Sequence, residues 1–172
     1  AYFAYADLEP AYVYSDYDDS LSLSPAFRHK ADLELIWLDF ARYPDAISDG
    51  QISEWLRERL VCLRNQSEAP ILIVPIGLSS SRGETVHKAV SKLAGVHCAD
   101  LTEIEKSLGT DFYDLRAARY SGTRLSDIAM IGLAREIACR WVPALVGPIV
   151  KAIAVDLDHT LYKGVLGEDG ID

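Results

Sequence analysis

The run Ile71-Leu72-Ile73-Val74-Pro75-Ile76 constrains this chain most, because it is an unbroken apolar segment of strand length. Such a run is typical of a parallel strand that is buried on both faces. Two more short apolar runs, at residues 33–38 and 96–99, alternate with longer amphipathic stretches. This alternation predicts an α/β fold in which the three strands are parallel neighbours and helices cover both faces of the sheet.

Four amphipathic segments, at residues 53–64, 84–93, 100–108 and 126–142, have the apolar spacing of helices. The last is the longest, and we expect Ser126 to cap its start and Pro143 to end it. The segment Leu145-Val146-Gly147-Pro148 then predicts a hinge, because a new apolar strand follows at 150–157. The sequence therefore predicts two units, residues 1–147 and the opening of a second domain at 148–172.

The composition excludes several classes of function. A net charge of -9, with no cluster of Lys or Arg, repels nucleic acids and acidic membrane surfaces. No apolar run approaches the ~20 residues of a membrane span, and the N-terminus lacks the pattern of a secretory leader. These features predict a cytoplasmic protein. Its three cysteines, Cys62, Cys98 and Cys139, stand among apolar residues, so we expect reduced core thiols and neither disulfides nor a metal cage.

The strongest chemical signal is Asp156-Leu157-Asp158-His159-Thr160, which follows the apolar strand directly. Two carboxylates two residues apart at a strand end point into one crevice, where their repulsion calls for a cation such as Mg²⁺. Asp156 or Asp158 then attacks a phosphoryl group, while the other carboxylate carries the proton. The motif alone is weakly specific, because turns and calcium loops also pair acidic residues.

The continuation Leu161-Tyr162-Lys163-Gly164-Val165-Leu166-Gly167-Glu168-Asp169-Gly170 is more specific. It resembles the stretch behind the nucleophile in FkbH-like proteins, subfamily IIIC of the haloacid dehalogenase superfamily. The resemblance implies that Asp156 is the nucleophile, that Asp158 is the general acid/base, and that both face Mg²⁺ at the start of a Rossmann-like phosphatase domain. It puts Thr160 at the motif threonine and, with Lys163, on the substrate side. Lys163 replaces a more typical glycine.

Residues 31–145 resemble, more weakly, the SGNH-hydrolase-type, flavodoxin-like domain that precedes the phosphatase domain in these proteins. An SGNH esterase uses a serine nucleophile and an Asp-x-x-His pair before its last helix. No Gly-Asp-Ser occurs in the sequence, and the first strand of such a domain is expected to be missing. Ser121 and Arg124 stand at the two places of the pair, and arginine accepts no proton at neutral pH. Arg124 is then either an anion or carboxylate contact that helps to bind substrate, or a surface salt bridge.

The resemblance implies that the parent protein takes an acyl phosphate or phosphoglycerate unit, removes phosphate and transfers the glyceryl group to an acyl carrier protein in polyketide-type biosynthesis. We expect the present chain to be non-catalytic, because the other motifs of the phosphatase site are absent from it. Two alternatives stay open, a module that binds a carrier protein or another partner, and an SGNH-type esterase. The tyrosines at positions 2, 5, 12, 14 and 17 suggest either a binding strip or, as we favour, ordinary packing.

Overall fold

The computed structural model describes residues 2–6, 8–14, 21, 30–44, 46–77, 80–116 and 118–147. Its sheet has three strands, β1 (Glu34–Asp39), β2 (Ile71–Ile76) and β3 (Val96–Cys98), in the order β1-β2-β3. Both pairs of neighbours are parallel. The helices are α1 (Asp49–Arg64), α2 (Ser80–Val90), α3 (Thr102–Leu108), α4 (Ala118–Ser121), α5 (Asp127–Glu136) and α6 (Val142–Val146). The predicted α/β architecture with a parallel sheet is confirmed.

The central strand β2 is buried along its whole length even though it contains a proline. Ile71 donates its N–H to Gly95, and Ala99 donates to the carbonyl of Ile73, so alternate residues of β2 direct their backbone groups toward β3. By this alternation Pro75 also faces the side of β3, at the level of Ala99. Because β3 ends at Cys98, the N–H that proline lacks would have no partner within the strand. Proline is tolerated here because no ladder hydrogen bond is lost.

The two faces of β2 belong to two separate apolar cores. Ile71 and Ile73 pack with residues of α1 and α2, such as Leu56 and Val86. Leu72, Val74 and Ile76 pack on the other face with α5 and the loops around it, including Phe112, Leu125, Ala129 and Leu133. Because strand residues alternate between faces, the continuous apolar run found in the sequence supplies both cores.

Helix α1 begins at Asp49, earlier than the predicted residue 53. Ser48 accepts a hydrogen bond from the Gln51 N–H at 3.3 Å, and the Gln51 side chain accepts one from the Ser48 N–H at 3.0 Å. This reciprocal capping box satisfies N–H groups that have no partner inside the helix. Apolar spacing predicts the start of a helix from its first buried residue, which in α1 is Ile52, and so places the start too late.

The last helical stretch does not end before Pro143, so that prediction is wrong. Ser126 caps α5 as expected, and a π-helical turn, Ile137–Trp141, then leads directly into α6. In this wide turn Val142 donates to the carbonyl of Ile137, five residues back. The widening opens the backbone near Cys139, whose carbonyl the ring of Pro143 would otherwise meet. Two residues of the predicted hinge, Leu145 and Val146, are therefore helical.

The prediction that all three cysteines lie in the core is wrong for two of them. Each is a free thiol, but Cys62 and Cys139 are exposed, and only Cys98 is partly buried. Cys62 lies on the side of α1 opposite the buried Leu56 and Leu60, so apolar neighbours in sequence are not neighbours on the helix surface.

Among the described helices none is long and apolar enough to cross a membrane. The second unit, at 148–172, lies outside the described residues, so the domain division stays a prediction.

Candidate functional site

The carboxyl ends of β1 and β2 meet at one edge of the sheet, where open α/β sheets place their ligand sites. Asp39 is the last residue of β1, and Gly77 follows β2 immediately. A short antiparallel bridge between Tyr113 and Leu125 closes this edge from the side of α5. The candidate crevice therefore lies between two strand ends and the segment that leads into the last long helix.

An ion pair between Asp39 and Arg124 fills this crevice. Arg124 donates from Nε to Oδ2 at 3.1 Å and from Nη2 to Oδ1 at 2.9 Å, which gives the parallel two-point geometry of a strong pair. The Asp39 side chain is 9% exposed and the Arg124 side chain 26% exposed. The pair joins residues 85 positions apart and ties the segment before α5 to the end of β1.

The residues around the pair hold its two partners in place. The Ala41 N–H donates to Asp39 Oδ1 at 3.0 Å, which fixes the carboxylate from the strand side. On the other side, Asp114 donates its N–H to the Arg124 carbonyl at 2.8 Å. The ring of Tyr113 lies 5.1 Å from the guanidinium carbon, within the range of a cation–π contact. The side chain of Arg124 is thus enclosed by a carboxylate and an aromatic ring.

Gly77 makes the close approach of Arg124 possible. Its φ is +71°, a conformation that favours glycine, and a Cβ at this position would overlap Nη2 of Arg124. The same Cβ would lie 3.4 Å from Asp39 Oδ1. A glycine is therefore required here both by the backbone conformation and by the guanidinium that fills the space.

Burial governs the electrostatics of the neighbouring tyrosine. Burial raises the pKa of Tyr113, and the charge of Glu105 raises it further, while the Arg124 guanidinium and a backbone hydrogen bond from Gly77 act in the opposite direction. Tyr113 is therefore a neutral phenol at neutral pH, and it contributes a ring face and a hydroxyl to the crevice. Among the described residues of the crevice, neither this phenol nor the Arg124 guanidinium is a general base at neutral pH.

The structure gives Arg124 a carboxylate partner within the chain, and that partner is a strand-end aspartate. A salt bridge was one of the two expected roles of Arg124, although this pair is partly buried and not at the surface. Contact of Arg124 with an anionic or carboxylate ligand stays a prediction. Sequence analysis missed Asp39, because β1 was expected to end at Leu38. The signal that could have identified it is an acidic residue directly behind an apolar strand, the same signal that identified Asp156.

The other residues predicted for the site, Asp156, Asp158, Thr160 and Lys163, lie outside the described residues. Their roles and the Mg²⁺ site therefore stay predictions. Within the described part of the chain, no group of three or more His, Cys, Asp or Glu residues could hold a metal ion.

A second cavity, of about 220 Å³, lies beside β3. It is lined by His87, Val90, Ser91, Val96, His97, Cys98 and Trp141. Burial raises the pKa of Cys98 to about 11, with a smaller contribution from the charge of Asp100, so this thiol stays protonated and unreactive at neutral pH. The described residues of the cavity offer two imidazoles, a hydroxyl, a protonated thiol and an indole.

Comparison with known proteins gives no assignment: no protein-family model, no curated protein and no solved structure matches this chain.

Proposed function

We propose that residues 1–147 form a non-catalytic, SGNH-type accessory domain of an FkbH-like protein. The observation that carries the proposal is the Asp39–Arg124 ion pair, which fills the crevice where an SGNH-type esterase would place its base. A guanidinium held on a carboxylate cannot take a proton from a serine hydroxyl. The role left to such a domain is to position its neighbour or to contact a partner.

The activity that we propose for the whole protein depends on the motif Asp156-Leu157-Asp158-His159-Thr160 and on the Gly-Glu-Asp-Gly continuation. In this proposal the substrate is an acyl phosphate or phosphoglycerate unit that carries an ester phosphate. Asp156 attacks this phosphoryl group, the phosphorus–oxygen bond of the ester breaks, and Asp158 protonates the alcohol oxygen that leaves. Asp158 later deprotonates the water that hydrolyses the aspartyl-phosphate and releases phosphate. Mg²⁺, held by the two aspartates and by residues from the rest of the phosphatase domain, offsets the phosphate charge. The glyceryl group is transferred in a separate step, in which the thiolate of an acyl carrier protein attacks the carbonyl carbon of an acyl phosphate. The thioester bond forms as the carbon–oxygen bond to phosphate breaks and phosphate leaves.

Phosphate release by the full-length protein tests this activity. Asp156→Asn should abolish the release of phosphate, because an amide cannot form an aspartyl-phosphate, and circular dichroism should show an unchanged fold because the two side chains are nearly isosteric. The matched variant is Asp111→Asn, which removes an exposed carboxylate outside the motif at 156–170 and should keep most of the activity. Wild-type phosphate release by Asp156→Asn would contradict the proposed roles.

A second candidate, a module that binds a partner protein, is favoured by exposed tyrosines. Tyr12 and Tyr14 are 59% and 80% exposed, and their rings stack with a centroid distance of 6.0 Å. Tyr12 also contacts the ring of Phe3, with a centroid distance of 6.4 Å, so both packing and a binding strip stay predictions for these tyrosines. Exposed aromatic rings are common in interfaces. Binding to a candidate carrier protein, measured by calorimetry, should weaken in Tyr12→Ala/Tyr14→Ala and stay unchanged in the control Tyr120→Ala. Equal binding by both variants would exclude this surface.

The third candidate, an SGNH-type esterase, predicts cleavage of p-nitrophenyl acetate that a serine-directed phosphonate abolishes. We expect no such activity from the chain. Esterase activity that is retained through purification and lost in Arg124→Ala would overturn the assignment of Arg124 as a non-catalytic residue.

A further inference from the structure

We propose that the crevice at the carboxyl ends of β1 and β2 is a binding pocket for a planar guanidinium group, and that the chain fills it with its own Arg124 side chain. The pocket lies among described residues, and its chemistry does not depend on the resemblance to FkbH-like proteins. Its ligand class is a planar cation, and Arg124 is its internal occupant.

The anionic wall of the pocket is fixed independently of its occupant. Asp39 is the last residue of a paired strand, and its Oδ1 accepts the Ala41 N–H within the short 3₁₀ turn Phe40–Arg42. Both carboxylate oxygens also face the guanidinium, at 2.9 Å and 3.1 Å. A carboxylate that the backbone already orients forms two parallel hydrogen bonds with a guanidinium at a low cost in conformational entropy.

The shape of the pocket matches a flat cation. The ring of Tyr113 lies 5.1 Å from the guanidinium carbon, and Gly77 leaves open the volume that Nη2 occupies. An ammonium group would form only a point contact with the carboxylate, whereas a guanidinium uses both oxygens and stacks on the ring. An anion would be repelled by Asp39, so the pocket is selective for planar cations such as an arginine side chain.

Removal of the internal occupant tests the proposal. In Arg124→Ala, the 172-residue chain should have a lower Tm than wild type, and millimolar guanidinium chloride should raise that Tm along a saturating curve. Methylguanidinium should act in the same way, whereas sodium chloride at equal ionic strength and urea at equal concentration should not. Wild type should show no saturable rise, because Arg124 already occupies the pocket.

Two matched variants distinguish binding in the pocket from a general salt effect. The double variant Asp39→Asn/Arg124→Ala lacks the anionic wall and should lose the rescue. Arg57→Ala removes an exposed arginine that pairs with Glu54 on the surface of α1, and it should respond like wild type. The proposal would be overturned if guanidinium raised the Tm of the double variant as much as that of Arg124→Ala. It would also be overturned if the Tm of Arg124→Ala showed no saturable rise. If Arg124→Ala is unfolded without ligand, circular dichroism can measure whether guanidinium induces folding along a saturating curve. The same outcomes then support or overturn the proposal.

Discussion

Arg82 in α2 donates from Nε to Oδ1 of Asp49, the first residue of α1, at 2.7 Å. The same guanidinium donates from Nη2 to the carbonyl of Ile47 at 3.3 Å. The two contacts join the amino-terminal ends of α1 and α2, which pack on the same face of the sheet. Both side chains are partly buried, so solvent screens this pair less than a surface pair.

We expect Arg82→Ala to lower the free energy of unfolding by about 1 to 2 kcal/mol, since hydrogen bonds to charged groups contribute on this scale. Arg57→Ala is the control, because Arg57 and Glu54 form an exposed pair within α1 that solvent screens, and its loss should change the free energy of unfolding less than the loss of Arg82. Urea denaturation of both variants measures the difference. Equal midpoints would mean that the contact between the two helices adds nothing beyond a surface pair.

Gly77→Ala should destabilise the chain more than Gly109→Ala. Both glycines have positive φ, at +71° and +53°, so each substitution introduces backbone strain of about 1 kcal/mol or more. Only at position 77 would the new Cβ overlap the Arg124 guanidinium, whereas a Cβ at position 109 has nothing within 4 Å. Thermal unfolding should therefore give the lower Tm for Gly77→Ala. When both glycine substitutions are made in an Arg124→Ala background, which lacks the guanidinium, they should lower the Tm by more similar amounts.

Folding stability should depend on Cys98 at alkaline pH. Burial raises the pKa of this thiol from 9.0 to about 11 in the folded chain, so the unfolded chain loses its proton first as the pH rises. The contribution of the thiol is complete below pH 9 and is lost between about pH 9 and pH 11. Unfolding free energies should therefore decline more steeply with pH in wild type than in Cys98→Ala. Parallel pH profiles would show that the thiol is not buried.

Calorimetry on residues 1–172 should detect no tight Mg²⁺ site. Mg²⁺ demands near-ideal octahedral geometry, and Asp156 and Asp158 alone supply too few ligands to replace its water. The heat of titration should be indistinguishable from that of Asp156→Asn/Asp158→Asn. Micromolar binding by wild type that is lost in the double variant would show that the motif holds the metal without further residues.

The sheet could be predicted from the sequence because its signal is local. The six apolar residues of β2 leave no polar face, and this pattern identifies a strand that is covered on both sides. The start of α1 could not be found in this way, because its first residues, Asp49 to Gln51, are polar or glycine, and only the Ser48 cap marks them. Apolar periodicity reports the buried face of a helix and not its length.

Only one residue of the Asp39–Arg124 pair, Arg124, could be identified from the sequence. Arg124 was identified because it stands where the weak resemblance to SGNH hydrolases places a histidine. Its partner stands 85 residues earlier, and no local sequence pattern links the two. The sheet brings them together, because β1 ends at the edge where the segment before α5 crosses. The exposure of Cys139 was missed for a similar reason, since the π turn changes which residues of the last helical stretch face the core.

The π turn also determines the direction in which the side chains after it point. A turn that closes over five residues advances the helix by one position relative to an α-helix, so side chains beyond it are rotated by about 100°. Leu133, before the turn, faces the core, and Trp141, at its end, reaches the cavity beside His97. Deleting one residue from Ile137–Trp141 would restore an unbroken α-helix, bring the ring of Pro143 against a carbonyl and turn Trp141 away from the cavity. One additional residue in the helix thus allows the chain to continue into α6 past Pro143, and it directs Trp141 toward the cavity that it lines.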